Sequence, residues 1–346
     1  MKLWLKIIIG IVVLIVFFVL RTLWNSGAFT KITPHFDGTV TEIDGFTGAE
    51  DITIDPTTGL SIISSSQFDP EMSNGAIFLL DLKQSTPKPI KLTANLAIKD
   101  FHPHGISIYT TAGGEKRVFV VNHQKSGNSI ELFKLTDSSL VHLESITNDL
   151  FISPNDVVGV GERKFYLTND HDEKKSDWRS KKDLLQIPMG NVCFFDGKEA
   201  KILADGFLYA NGINTSLDGK KLFVAATTGQ KIKVFDRDIA SGNLKENSEI
   251  SIRGADNIEL DASGNLWVGC LPQLLAFLAH SKDHSKPSPS EVIKIVFDKA
   301  GKATKESVYL NDGKPVSGSS VGAVWKDKLL IGTVFENKVL LCSLKK

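Results

Sequence analysis

The chain has 346 residues, 42% of them hydrophobic, which suffices to bury a full core and excludes a disordered chain. Its 40 Lys and Arg residues are balanced by 40 Asp and Glu residues. The chain therefore has no excess of positive charge with which to bind a nucleic acid, and we expect no nucleic-acid partner. Three cysteines, without a CxxC motif or a Cys/His cluster, exclude a fully paired disulfide scaffold and argue against structural zinc.

The chain begins with a hydrophobic segment. Residues 7–20 are uncharged and apolar, and the stretch from Leu3 to Trp24 adds only two charges, Lys6 and Arg21, whose side chains can reach a membrane surface. About 20 such residues can span a bilayer, and the positive charge before them favours a cytoplasmic N-terminus. We predict a single-pass signal anchor at residues 1–25, with the remainder extracytoplasmic, either extracellular or lumenal. The alternative is a cleaved signal peptide and a secreted protein.

Beyond residue 40 one pattern recurs six times: a polar pair, an apolar strand, a turn and a second strand. The copies begin at Glu50-Asp51, His104-Gly105, Asn155-Asp156, Asn211-Gly212, Asp256-Asn257 and Ser319-Ser320. A spacing of roughly 45–60 residues is that of propeller blades rather than of solenoid repeats. The repeats therefore predict an all-β chain, a six-bladed β-propeller that forms one domain over residues 26–346.

Two stretches do not fit the repeat. Residues 172–183 are a dense run of mixed charge, and residues 280–290 are rich in Ser and Pro. Both are expected to be long insertions between strands. A solvated surface loop is the simplest interpretation of each, and a lid or a membrane-facing flap is the alternative.

The polar pairs occupy nearly the same position in every repeat, about seven residues before the hairpin turn. In a propeller, equivalent positions lie at equal distances from the axis, so these side chains are expected to converge on the central channel. The gathered carboxylates and amides are Glu50, Asp51, Asn155, Asp156, Asn211, Asp256 and Asn257. No Lys or Arg occurs in this position, and oxygen ligands of this kind are those that calcium prefers. The alternative is that Asn and Asp only begin strands as turn residues.

At these positions the chain resembles the serum paraoxonase/arylesterase family. The matching strings are GAEDITI, HPHGISIY, VVNH, NDVVGVG, FYLTNDH, ANGINTSLDGK, DNIELD, LWVGC and KLLIGTVF. They run from about residue 45 to the C-terminus, in the family's order and spacing. The resemblance implies a six-bladed propeller that holds two calcium ions in its channel and hydrolyses lactones and aryl esters.

The resemblance also implies the site residues. It gives the catalytic calcium the ligands Glu50, Asn155, Asn211, Asp256 and Asn257. It gives a deeper, structural calcium Asp51, Asp156 and the backbone carbonyl of Ile106. The family's histidine pair matches His104 and His123. His104 would remove a proton from the attacking water, and His123 would orient its ring or relay the proton. The alternative is that each is a structural histidine bonded within the second repeat. Adjacent residues of a strand point to opposite sides, so neighbours such as Glu50 and Asp51 can serve different ions.

Residues near the inner-strand ends are expected to line the substrate pocket. They are Tyr209, Ser320, Val334 and Phe335, and core packing is the alternative for the last two. Asp170 and His171 also lie at a strand end near the mouth, where they support either the histidines or only the fold.

The chain departs from the family pattern at three positions. About Thr39 stands where the family has the cysteine that pairs with the one matching Cys342, so we expect no disulfide between the chain ends. Leu271 replaces a family histidine after the VGC string, and Tyr209 places a hydroxyl on the pocket wall. The family's substrate preference is therefore not carried over.

Three functions follow from these observations. The first is a membrane-anchored, calcium-dependent arylesterase or lactonase that attacks a small-molecule ester by water; there is no Gly-x-Ser-x-Gly elbow for a serine mechanism. The second is a non-catalytic propeller that uses calcium as a plug and serves as a binding scaffold. The third is a related propeller enzyme acting on sugar lactones or alkaloid precursors, which the HPHG and VVNH strings fit poorly.

Overall fold

The computed structural model describes residues 2–66, 74–136, 139–173 and 177–345. It begins with helix α1, Leu3–Asn25, whose 23 residues are mostly apolar and nowhere buried. At 1.5 Å per residue the helix is about 35 Å long, enough for one membrane crossing. Two strands follow, β1 (His35–Phe36) and β2 (Gly38–Asp44), and both pair with strands from the C-terminal part of the chain.

The remaining strands form antiparallel groups in chain order. The first group is β3 (Ala49–Ile54), β4 (Leu60–Ser65), β5 (Ala76–Asp81) and β6 (Ile90–Lys91). The second is β7 (Pro103–Thr110), β8 (Lys116–Gln124), β9 (Gly127–Leu135) and β10 (Leu140–Ile146). The third is β11 (Pro154–Gly159), β12 (Phe165–Asn169), β13 (Gly190–Phe195) and β14 (Ala200–Phe207).

The second half of the chain continues the series. The fourth group is β15 (Ala210–Thr215), β16 (Lys221–Ala226), β17 (Lys231–Arg237) and β18 (Leu244–Ser251). The fifth is β19 (Ala255–Leu260), β20 (Leu266–Cys270), β21 (Ser290–Phe297) and β22 (Ala303–Asn311), with β1 added at its edge. The last is β23 (Ser319–Trp325), β24 (Lys328–Thr333) and β25 (Lys338–Leu344), completed by β2.

The first strand of each group lies beside the first strand of the next. Contacts run from β3 through β7, β11, β15 and β19 to β23, and they return from β23 to β3. A ring of strands closed in this way surrounds a central axis, as in propellers. The all-β, propeller-like fold is therefore confirmed. Six equivalent blades remain a prediction, which this ring supports.

Apolar side chains fill the space between neighbouring groups. One core cluster, for example, joins Phe223 and Val234 of the fourth group to Ile258 and Val268 of the fifth. The strands alternate side chains between their two faces, so each sheet packs on both neighbours. Burial of this kind contributes about 1.5–3 kcal/mol for each large side chain removed from water.

The chain ends are joined without a disulfide. Cys193, Cys270 and Cys342 are all free and buried. Strand β2 instead pairs with β25 along its full length, and Val40 lies opposite Cys342. Backbone hydrogen bonds and packing therefore close the ring, as expected from the missing cysteine near Thr39.

The two stretches outside the repeat differ from the expected loops, because each contains or adjoins a helix. Helix α2, Asp177–Leu184, lies largely within residues 172–183, of which 174–176 are outside the described residues. Helix α3, Leu274–Lys282, runs into residues 280–290. Its sequence LLAFLAHSK is rich in strong helix formers. The prediction of a loop considered only the polar residues 280–290 and missed this signal. Both helices lie at the mouth of the ring, as described next.

Candidate active site

The polar pairs do converge at the start of the first strands. Two of their aspartates use the same local device: each accepts a hydrogen bond from the next residue and one from the next group. Asp51 accepts from the backbone N–H of Ile52 and of Ile106, both at 2.8 Å. Asp156 accepts from the backbone N–H of Val157 and of Ile213, both at 2.7 Å. These bonds hold neighbouring inner strands in register and explain why an aspartate recurs there.

The residues predicted to bind the catalytic calcium, the outer of the two predicted ions, leave buried oxygens without a hydrogen-bond partner. Within the described part of the chain these atoms are Glu50 Oε2, Asn155 Oδ1, Asn211 Oδ1 and Asn257 Oδ1. A buried polar atom without a hydrogen bond costs about 1–3 kcal/mol, so four at one place call for a ligand. The donor set is therefore the one that a hard, oxygen-seeking cation requires.

The amide groups are oriented by their nitrogens. Asn257 Nδ2 donates to Glu50 Oε1 at 2.9 Å, and Asn211 Nδ2 donates to the hydroxyl of Thr227 at 3.0 Å. That hydroxyl in turn donates to the carbonyl of Ala255. Because each nitrogen already has an acceptor, each Oδ1 is left as the atom available to a ligand. Thr227 was not predicted from the sequence.

Glycines allow the inner strands to approach closely. A Cβ on Gly105 would lie 2.4 Å from the Asp156 Cα, and one on Gly212 would lie 2.4 Å from the Asp256 carbonyl oxygen. No side chain fits at these distances. The glycines of the HPHG and ANGIN strings are thus required by the narrowness of the channel.

The channel concentrates negative charge. Burial, together with the neighbouring Glu50 carboxylate, raises the pKa of Asp51 to about 8. Burial likewise raises the pKa values of Asp156 and Asp256 well above their usual range. Glu259, which the sequence reasoning missed, is also buried, and burial together with the charge of Asp51 raises its pKa well above its usual range. Its position two residues after Asn257 on β19, hence on the same face, was the available signal.

The carboxylates alone do not form a metal site. Among the described residues, no three His, Cys, Asp or Glu side chains are grouped closely enough to bind one ion. Each of the two predicted ligand sets contains only two carboxylates. An ion at either level needs amide or backbone oxygens to complete its ligand set.

A cavity of about 540 Å³ opens above the outer residues. Glu50, His104, Asn155, Asn211 and Asp256 form its polar floor. Of the predicted wall residues, the structure places three at the cavity: Tyr209, Val334 and Phe335. Leu271, at the position of the missing family histidine, lines it too.

Ser320 has a different place from the one predicted. It is fully buried, and its hydroxyl donates to the backbone carbonyl of Glu50 at 2.5 Å. It supports the strand that carries Glu50 from behind and is not on the cavity wall. The position of Ser320 in its polar pair does not predict the orientation of its side chain.

The two histidines form a chain with an asparagine. His104 Nδ1 lies 2.9 Å from His123 Nε2, and His123 Nδ1 lies 2.9 Å from Asn128 Oδ1. Asn128 Nδ2 donates to the carbonyls of Phe151 and Ile152, so its Oδ1 must accept from His123. His123 Nε2 then accepts from His104 Nδ1–H, so the lone pair of neutral His104 is on Nε2. A proton taken up by this nitrogen faces Glu50 Oε1 at 3.4 Å, and His104 and Glu50 then form an ion pair.

The pKa values of the two histidines agree with this assignment. Burial, together with the neighbouring His104, lowers the pKa of His123 to about 4, so His123 is neutral and can accept a hydrogen bond. Burial alone would lower the pKa of His104, but the Glu50 carboxylate outweighs it and the pKa is raised. His104 is thus the more basic of the pair.

His171 connects the mouth of the ring to helix α2. Its Nδ1 lies 2.8 Å from Asp170 Oδ1, and its Nε2 lies 3.2 Å from Asp183 Oδ1 of α2. Burial opposes the charged form, but these two carboxylates raise the His171 pKa to about 9. The ring also packs edge-on against Tyr209 at 5.5 Å. The predicted pair Asp170 and His171 therefore holds α2 and the cavity wall, and His171 does not contact His104 or His123 through any described hydrogen bond.

Helices α1, α2 and α3, with the residues directly after α1 and α2, supply most of the remaining cavity wall, which the sequence did not predict. The contributing residues are Thr22, Asn25, Ser26, Asp183, Leu184, Gln186, Leu274, Leu275, Phe277 and Leu278. Most residues from α3 are apolar, in contrast to the charged and amide floor. The site thus has a floor of carboxylate and amide oxygens, a hydrogen-bonded pair of histidines beside it and an apolar mouth.

Comparison with known proteins assigns the chain to a family. The arylesterase family model matches residues 29–344. The chain is 36% identical over 333 residues to serum paraoxonase/arylesterase 1 of Mus musculus, covering 92% of both chains. It is 37% identical over 310 residues to serum paraoxonase/arylesterase 2 of Gallus gallus, covering 86% of both. The chain therefore belongs to the arylesterase family and is a hydrolase of the arylesterase/lactonase type.

Solved structures support the fold at lower identity. A luciferin-regenerating enzyme is similar with a TM-score of 0.55 and 14% identity, over 89% of this chain and 95% of its own. Regucalcin from Agrobacterium tumefaciens, described as a calcium-binding protein, gives 0.54 and 13%, over 90% and 96%. A gluconolactonase from Xanthomonas campestris gives 0.54 and 15%, over 91% and 94%. These similarities establish the shared propeller-like fold.

Proposed function

We propose that the protein hydrolyses lactones and aryl esters with calcium bound at the cavity floor. The observation that carries the proposal is the set of four buried, unpartnered oxygens on Glu50, Asn155, Asn211 and Asn257. They lie below a cavity large enough for a small ester and beside a histidine base.

Two calcium ions fit the residues at two depths. The outer ion would be held by Glu50, Asn155, Asn211, Asp256 and Asn257. The inner ion would be held by Asp51, Asp156 and the carbonyl of Ile106. When bound, the outer calcium supplies Lewis acidity, which polarises an ester carbonyl and stabilises the negative oxygen that develops on it.

The chain's own residues then position and deprotonate the attacking water. His104 Nε2 carries the lone pair and borders the cavity, so it takes the proton of a water lying over the floor. His123 accepts a hydrogen bond from His104 Nδ1 and is held in that tautomer by Asn128. This bond stabilises the charge that His104 acquires. The apolar residues of α3 keep bulk water from the ester group.

We also propose that residues 1–25 remain as a single-pass anchor and that residues 26–346 form the extracytoplasmic hydrolase domain. The last turn of α1 is part of the cavity, which supports retention of the helix over cleavage. Calcium is abundant outside the cytoplasm, as the proposed site requires.

Substitution of Asp256 by Asn tests the function. This change keeps the size of the side chain and removes one charge at the outer floor. We expect calcium-dependent turnover of phenyl acetate and of a lactone panel by the full chain in detergent, loss on chelation, recovery with calcium, and at least 100-fold slower turnover in the variant.

The matched control is Asp261→Asn, which changes an aspartate of the same strand group that hydrogen-bonds Asn265 and Trp267 away from the cavity. Its turnover should stay near that of the unmodified chain. A folded, calcium-loaded protein that hydrolyses none of the esters would refute the proposal and favour the binding scaffold. Equal rates with and without calcium would refute the role of the ion.

A further inference from the structure

The final turn of the anchor helix is part of the cavity wall. Thr22, Asn25 and Ser26 border the same cavity as Glu50 and His104. The helix residues before this turn are mostly apolar and mostly exposed. One continuous helix thus extends from the segment suited to a membrane to the site of the chemistry.

The helix end is fixed to the ring by hydrogen bonds. Asn25 Nδ2 donates to Gln186 Oε1 at 3.0 Å, and Gln230 Nε2 donates to the Asn25 carbonyl at 2.9 Å. The backbone N–H of Leu274 donates to the Ser26 carbonyl at 2.8 Å. These contacts join α1 to the connections on either side of the cavity mouth.

The turn that follows the helix is equally constrained. Gly27 has φ of +75°, and a Cβ there would lie 2.0 Å from the carbonyl oxygen of Pro272. A glycine is therefore required where the chain leaves the helix and lies against Pro272, shortly before α3. Beyond it, Gln273 Nε2 donates to the Thr30 carbonyl at 2.9 Å. The helix end cannot leave the cavity without breaking several contacts.

We propose that Thr22 determines substrate specificity, by forming part of the wall against which the apolar substituent of the ester or lactone lies. The inference rests on the proposed function. The carbonyl group belongs at the polar floor, so the rest of the substrate extends along the cavity lining outside the floor. That lining includes Thr22, Leu275 and Leu278, and the two leucines favour an alkyl chain or an aromatic ring.

A labelling experiment tests the position of this wall without turnover. The three native cysteines are buried, so Thr22→Cys gives one reactive thiol in the full chain in detergent. Arg21→Cys is the control, because Arg21 is exposed and outside the cavity wall. A γ-lactam with a hexyl substituent, an analogue of a lactone that resists hydrolysis, is the probe.

We expect the lactam to slow alkylation at position 22 at least fivefold and to leave position 21 unchanged. Equal rates at position 22 with and without the lactam would overturn the proposal. So would a thiol at position 22 that does not react even without the probe. Because no ester is hydrolysed, the result is independent of the proposed catalysis.

Kinetics test the effect on specificity. Thr22→Leu narrows the cavity at the wall, and Asn25 remains in place to hold the helix. We expect the ratio of kcat/KM for a hexyl-substituted lactone to that for the unsubstituted ring to fall about fourfold for each methylene that loses its contact. Calcium dependence should not change. An unchanged ratio would overturn the proposal, whereas an unmodified chain inert on both lactones would refute the proposed function instead.

Discussion

Asn128 sets the direction of the histidine chain, so replacing it by Ala should slow the reaction without touching the cavity. In the structure its Oδ1 accepts from His123 Nδ1, which leaves His123 Nε2 to accept from His104. Without that acceptor, the buried N–H of His123 has no partner. The ring then favours the other tautomer, which presents Nε2–H to His104 and moves the His104 proton onto Nε2. His104 is then no longer a base.

The size of the effect follows from the lost hydrogen bond. A buried donor without a partner costs about 1–3 kcal/mol, and 1.4 kcal/mol corresponds to a tenfold change in population. The base-competent tautomer should therefore fall by roughly 5- to 150-fold, and kcat/KM should fall with it. KM should change little, because Asn128 is absent from the cavity wall. Both constants are measured for phenyl acetate and a lactone at pH 8 with saturating calcium.

Asn128→Asp is the matched control. Asp and Ala both lose the donor to the carbonyls of Phe151 and Ile152, so both carry the same structural defect. Only Asp keeps an acceptor for His123, and we expect it to retain most of the activity. If Ala equals the unmodified chain, or if Asp is as slow as Ala, the tautomer argument is wrong.

Three further predictions concern stability. Gly105→Ala places a methyl group 2.4 Å from the Asp156 Cα and should lower the free energy of unfolding by about 1–3 kcal/mol in urea titrations; an unchanged midpoint would contradict the close approach. The His171 pKa of about 9 exceeds the ordinary 6.5, so its ion pair with Asp183 stabilises fully below pH 6.5 and is lost as the pH rises through 9. The melting temperature should therefore fall more between pH 7 and 9.5 in the unmodified chain than in the His171→Gln variant. Glu259→Gln should raise the melting temperature of calcium-free protein at pH 8, with a smaller gain when calcium is present; equal gains would exclude coupling to the channel.

The residues of the site whose positions are set by the sequence repeat could be predicted from the sequence. Glu50, Asn155, Asn211 and Asp256 each begin the polar pair of one copy, and Asn257 follows Asp256 in the same pair. Closure of the ring therefore brings these residues together whatever the loops do. Their partners could not be predicted in the same way. Thr227 and Asn128 act through bonds between strands, and no sequence pattern gives the rotation of a single side chain.

The helices at the mouth were predicted least well. Helix α1 was identified as a membrane segment, but its role as a wall depends on Gln186, Gln230 and Leu274, which lie more than 150 residues away along the chain. The same is true of α2, whose position depends on the His171 contact with Asp183. Long-range contacts of this kind follow from the assembled fold and leave no local periodicity.

The channel explains why a cation and the fold should depend on each other. Glu50, Asp51, Asp156, Asp256 and Glu259 are all buried, and in the described part of the chain their one ion-pair partner is His104, at 3.4 Å from Glu50. Without a cation, buried carboxylates must take up protons or repel one another, and both raise the free energy of the folded state. Binding of the proposed calcium ions would remove most of this cost, and the gain would appear only when the ring is closed. Since the same oxygens form the floor of the cavity, selection for a stable ring and selection for a reactive floor act on one set of residues. Calcium removal should therefore lower stability and activity together.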